Sequence, residues 1–184
     1  MKSSFLSSVL KQFEYYRRLG DKTIAQLNEE ELKKEFVHDS NSVAIIIKHL
    51  AGNMLSRWTN FLAEDGEKEW RQRDDEFIDT LQNKTEIIGI WNKGWDCLFQ
   101  ALNCLTEADL EKIIYIRNHG HTVTEAINRQ TMHYAYHIGQ MILLGKLLKG
   151  ENWQSLSIPK GKSKAYNKDK FSKDKTQRHF TEDL

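Results

Sequence analysis

TVTEAINRQTMHYAYHIGQMILLGKLLKG, residues 122–150, reads as one long helix. Thr122 and Glu125 stand three apart, as the partners of a capping box do, and Gly150 supplies a C-terminal stop. At about 100° per residue, Ile127, Tyr134, Ile138 and Met141 share an arc, with His133 and His137 at its edge. The expectation is a helix over Thr122–Lys149 whose apolar arc faces a core.

Three more segments carry the same period. The first, Ser3–Leu27, groups Phe5, Val9, Phe13, Tyr16, Ile24 and Leu27, with Ser3 or Ser4 as N-cap. The second, Ser42–Leu62, groups Val43, Ile46, Ile47, Leu50, Met54, Trp58 and Phe61. The third, Thr85–Leu105, groups Ile87, Ile90, Trp91, Leu98, Leu102 and Leu105, with Gly94 on the same arc as a point of close approach. The single proline is Pro159, so no proline breaks a helix before it. Between these segments lie a charged connection over 63–83, containing Trp70-Arg-Gln-Arg-Asp-Asp-Glu-Phe77, and the short run Ile113–Ile116, readable as extended or helical. Four long amphipathic helices without a convincing strand set imply an all-α four-helix bundle over residues 1–160. Residues 161–184 form a basic tail with few apolar side chains, expected to be flexible and dispensable.

Composition narrows the function classes. A net charge of +1 gives no reason to expect a nucleic-acid partner. No apolar run approaches the roughly 18 to 20 residues of a membrane span, and the N-terminus does not read as a signal peptide. Cys97 and Cys104, about 10 Å apart along one helix at 1.5 Å per residue, cannot pair within it. Free thiols fit a cytoplasmic protein.

The chemistry-bearing residues are histidines. His133 and His137 stack one turn apart, and neutral imidazole is the commonest metal ligand. No Glu follows His133, so the HExxH zinc-protease pattern is excluded. On the second helix His49, Asn53 and Arg57 make a polar line at i, i+4 and i+8 beside the apolar arc. Polar groups on such an arc need partners. If the two edges face one another, three imidazoles converge on one ion with an open position; the other reading is that His49 is a hydrogen-bonded core histidine. Gln140 is placed either to fix an imidazole or bound water or to serve as a plain boundary glutamine, and Arg129 to meet either an anionic group or a surface carboxylate. Asn53, His119, His121, Tyr134 and Tyr136 are weaker candidates. Trp58, Trp91 and Trp95 read as core or dimer contacts.

Val43-Ala-Ile-Ile-Ile-Lys-His49-Leu-Ala, together with Arg129-Gln-Thr-Met-His133-Tyr-Ala-Tyr-His137-Ile-Gly-Gln140, resembles the DinB-like (YfiT-like) superfamily of metal-binding four-helix bundles. The segments Glu69–Asp74 and Trp153–Ser163 resemble a branch of it with no assigned function. The resemblance implies one divalent metal ion, zinc or nickel, on His49, His133 and His137, and a homodimer. It also implies possible transfer of a small thiol, such as bacillithiol, to an electrophilic substrate. The alternatives are a metal-dependent hydrolase and a non-catalytic, stress-related metal binder.

Overall fold

A computed structural model describes residues 4–38 and 40–183. The chain is mainly helical, and among the described residues it forms helices α1 (Ser4–Gln26), α2 (Glu29–Lys33), α3 (Val43–Trp58), α4 (Lys84–Asn103), α5 (Val123–Lys149) and α6 (Ser163–Phe171). A two-stranded antiparallel hairpin, β1 (Ile113–Ile116) and β2 (His119–Thr122), precedes α5. The four long helices expected from periodicity are α1, α3, α4 and α5. Ser4 is the first helical residue of α1, so the cap expected at Ser3 lies outside the described residues.

Their starts follow from local chemistry. Ser42 caps α3 by accepting from the Ile45 N–H, Asn83 caps α4 through the Glu86 N–H, and Thr122 with Glu125 forms the capping box of α5. The second helix ends earlier than periodicity suggests. Thr59 turns extended and Asn60 takes a φ of 47°, so the apolar Phe61 packs from a turn after α3 rather than from its last turn.

α3 is the most deeply set element: only Lys48, Gly52 and Leu55 of its sixteen residues escape full burial. It packs most extensively on α4, where a Cβ at Gly94 would stand 3.0 Å from the Ala51 backbone. α1 packs chiefly on α5. The shared core gathers Phe13, Trp58, Trp91, Trp95 and Tyr134, whose rings meet edge-on or tilted.

Gly20 lies on the buried stripe of α1 because Trp91 occupies the space a side chain would take. A Cβ there would sit 2.3 Å from the indole. The ring is also tied by its N–H to Asp21 at 2.7 Å. Gly20→Ala is expected to destabilise the fold by about 1–3 kcal/mol, the usual effect of overpacking. A urea midpoint equal to the parent's would show that Trp91 is not seated there.

The Ile113–Ile116 run is extended. It pairs with His119–Thr122 through a two-residue turn in which Arg117 and Asn118 take φ of 55° and 61°. Asp65 pins the turn by accepting from both backbone N–H groups, at 2.8 and 2.9 Å. Ile114 and Ile116 are buried, which fixes the hairpin against the core and leaves Arg117 outside it.

After α5 the chain folds back. Trp153 seats its ring where a Cβ on Gly145 would otherwise lie, and Gln26 brackets Gln154 with two hydrogen bonds. In the tail, α6 buries no residue, in keeping with its scarcity of apolar side chains. Beyond it, polar groups reach back to α1. Ser8 meets His179 at 2.9 Å, Arg18 donates to the Thr181 carbonyl at 2.9 Å, and Lys11 pairs with Glu182. Apolar patterning carries no sign of such a contact. Among the described residues, no helix is long and apolar enough to cross a membrane.

Candidate metal centre

α3 and α5 place the three histidines together. His133 Nε2 lies 3.3 Å from His49 Nε2 and 3.1 Å from His137 Nε2, and all three ligand atoms fall within 4.8 Å of one another. The i, i+4 spacing on α5 supplies two rings and the polar line of α3 the third.

The far side of each outer ring fixes its tautomer. His49 Nδ1 is 2.9 Å from Glu76 Oε2. An ionised carboxylate only accepts, so Nδ1 carries the proton and Nε2 presents a lone pair. His137 Nδ1 meets Gln140 Oε1 at 2.8 Å, and Gln140 is oriented by donating to the Tyr136 hydroxyl at 3.0 Å. His137 Nε2 therefore also presents a lone pair. His133 Nε2 faces both and can donate to only one of them. A shared cation satisfies all three. Ligand nitrogens about 2.0–2.1 Å from a tetrahedral ion stand roughly 3.3–3.4 Å apart, which is close to the two separations seen. Three imidazoles and no thiolate form a donor set that suits zinc, nickel, copper and iron alike.

At His133 and His137 the surroundings favour the neutral ring that ligation needs. Burial, then the neighbouring His137 and His49, pushes His133 down to about 3, and burial likewise lowers His137. Burial acts the other way on Glu76, but hydrogen bonds from His49 and Arg71 outweigh it and hold the carboxyl below its usual range.

Glu76 is the element that patterning misses. It sits in a short turn, Asp74–Phe77, and is buried. Arg71 grips it with two bonds, Nε to Oε1 at 2.8 Å and Nη2 to Oε2 at 2.9 Å. Phe77, from the same turn, stacks on the His49 ring at 5.0 Å. The signal available in sequence is Gly52, one turn after His49. A Cβ there would lie 2.2 Å from Glu76 Oε1, so the glycine makes room for the carboxylate.

The weaker candidates separate. Gln140 fixes His137 as expected. Asn53 accepts from the Tyr134 hydroxyl at 3.1 Å, and that hydroxyl accepts from Trp58 Nε1 at 3.0 Å. Burial raises the Tyr134 phenol well above its ordinary range, so it is a structural link and not an acid. Tyr136 is exposed and serves Gln140. His119 and His121 lie on β2, away from the trihistidine cluster. Arg129 stands at a polar pocket of about 240 Å³ that His49 and His133 also line.

The molecule is thus a mainly helical protein with a trihistidine cluster able to hold a metal ion. Over residues 1–162 it matches the family described as a protein of unknown function, DUF1572, and it belongs to that family. No curated protein matches the chain.

Proposed function

We propose that the protein is a metal-dependent enzyme of the DinB-like type, its four long helices forming a four-helix bundle, which joins a small thiol to an electrophile. The observation that carries this reading is the convergence of three imidazole ligand nitrogens beside a pocket reaching His49 and His133. A zinc or nickel ion held there supplies the charge that keeps a thiol ionised near neutral pH. The chain's own residues do the rest. Glu76 and Gln140 orient the outer imidazoles, Phe77 covers one face of His49, and the polar pocket receives the reactants.

In the reaction the thiol sulfur forms a bond to carbon, the leaving halide departs with its electron pair, and the thiol proton passes to solvent. Hydrolysis through a metal-activated water is the less favoured alternative, because nothing in the pocket offers it a separate general base. No carboxylate lines the pocket among the described residues, and Glu76 is committed to His49 and Arg71. A non-catalytic metal binder is the remaining alternative. A cytoplasmic homodimer completes the proposal. Cys97 and Cys104 are free, and Met132, Tyr136, Leu143 and Leu147 lie exposed along α5, where a second copy would cover them.

The test is conjugation of bacillithiol, glutathione or cysteine to an activated aryl or alkyl halide by the metal-loaded protein. The rate should vanish with chelator, return with metal, and be missing in His133→Ala. If no thiol gives a rate above that variant with metal confirmed on the parent, the transferase reading fails.

A further inference from the structure

We propose that the pocket beside the three histidines binds a small ligand through an oxyanion group, a carboxylate or phosphate, held by guanidinium groups from three separate elements. Five arginines line it (Arg57, Arg71, Arg73, Arg117 and Arg129), together with Gln130, and no carboxylate does so among the described residues. Such a wall focuses positive potential into a concave space next to the proposed reaction centre.

Part of this charge has an internal explanation. Glu67 accepts from Arg57, Arg71 and Arg117, and Glu76 accepts from Arg71. These pairs tie the 64–77 connection and the hairpin to α3. Among the described residues they leave Arg73 and Arg129 without a carboxylate partner. Arg73 lies over the Phe77 ring at 5.3 Å, and Arg129 projects from α5 one turn before His133. Both are exposed, so holding the wall together does not explain them.

Two buried polar groups in the pocket wall lack partners. Arg57 is 6% exposed and Gln130 is 3% exposed, yet Arg57 Nε and Gln130 Oε1 have no hydrogen-bond partner. Buried polar atoms are nearly always satisfied, and exceptions call for an absent ligand or water. The Arg57 N–H is a donor suited to an anionic oxygen. The Gln130 amide adds a group that can donate to the oxyanion or accept from a ligand hydroxyl. Planar guanidinium forks match carboxylate and phosphate geometry better than any other side chain. The ligand's anionic end is thus placed chiefly by Arg73 and Arg129, with Arg57 behind them in the wall, and its remainder lies toward His49 and His133. That last placement rests on the metal-centre reading; the anion affinity does not.

Inorganic phosphate and malonate, titrated calorimetrically into the full chain, test the proposal. Each is run against metal-free protein and protein given one equivalent of zinc. Saturable one-to-one binding is expected in both preparations, weakening as salt is raised. Removing charge-assisted hydrogen bonds in an Arg73→Ala, Arg129→Ala double variant should lower affinity about tenfold or more. Arg129→Gln should give part of that loss. Lys93→Ala, an exposed lysine of α4 outside the pocket, should bind as the parent does. Binding of one anion and not the other supports the site and identifies its class. No saturable binding to the parent overturns the proposal, as does a folded double variant with parental affinity or an equal loss in Lys93→Ala. If either anion binds and zinc does not, the pocket stands and the metal-centre reading falls; zinc binding with neither anion gives the converse.

Discussion

Purified without chelator, the protein is expected to carry about one divalent metal ion per chain, and His133→Ala to carry almost none. His133 is the middle ring, with its Nε2 within 3.3 Å of both of the others, so its loss leaves two ligands with nothing between them. His49→Ala and His137→Ala each leave a pair as well. All three should weaken binding by more than the roughly 10- to 100-fold that follows loss of a mere supporting partner. His38 and His179 lie outside the cluster, so His38→Ala and His179→Ala should retain parental metal. His179 instead meets Ser8 at the end of the tail. Elemental analysis after buffer exchange, with chelator competition for affinity, reads all of these. Stoichiometric metal in the triple variant would sink the site.

The legible parts of this molecule are those where a repeating pattern meets a core. The apolar arcs of α1, α3, α4 and α5 repeat over several turns, and each helix appears within a few residues of its expected span. His49 and the His133, His137 pair are visible because a polar residue on an apolar arc breaks that pattern. Single, non-repeating contacts leave no such trace. The hairpin turn uses Arg117 and Asn118 in left-handed conformations, where a glycine would have advertised it. Asp65, which stabilises the turn, stands some fifty residues earlier in the chain. Leu6 is fully buried on α1 whereas Phe5 is only partly so, a shift of one position that periodicity over a wide arc does not resolve. The tail illustrates the same limit, since its contacts with α1 are isolated polar ones between residues far apart in the chain. Glu76 belongs with these: in sequence it is one acid among several between Glu64 and Asp79, and only the fold singles it out.

Glu76→Ala is expected to impair both stability and metal binding, for reasons that can be separated. The carboxylate bridges the His49 ring and the Arg71 guanidinium, and the side chains of Glu76 and Arg71 are only 8% and 2% exposed. Truncating Glu76 leaves Arg71 buried with the more distant Glu67 as its remaining acid, at 3.4 Å. Losing one partner of a buried pair typically costs about 3–5 kcal/mol, which for a chain of this size lowers the melting temperature by on the order of 10 °C. The same change frees His49 Nδ1, so the ring can turn or change tautomer, and metal affinity should fall roughly 10- to 100-fold. Glu76→Gln should be milder on both counts, because one oxygen still accepts while the amide nitrogen faces a donor. Gly52→Ala should mimic the truncation without touching the carboxylate, since its methyl group claims the space of Oε1. An Arg71→Ala, Glu76→Ala double variant tests whether the stability loss is an orphaned charge. If it is, the double variant should melt above Glu76→Ala, while metal affinity stays low because His49 still lacks its acceptor. A double variant that recovers metal affinity as well would mean that Glu76 acts on the centre through Arg71 rather than through His49. A Glu76→Ala protein that melts and binds metal as the parent does would remove the carboxylate from the centre altogether.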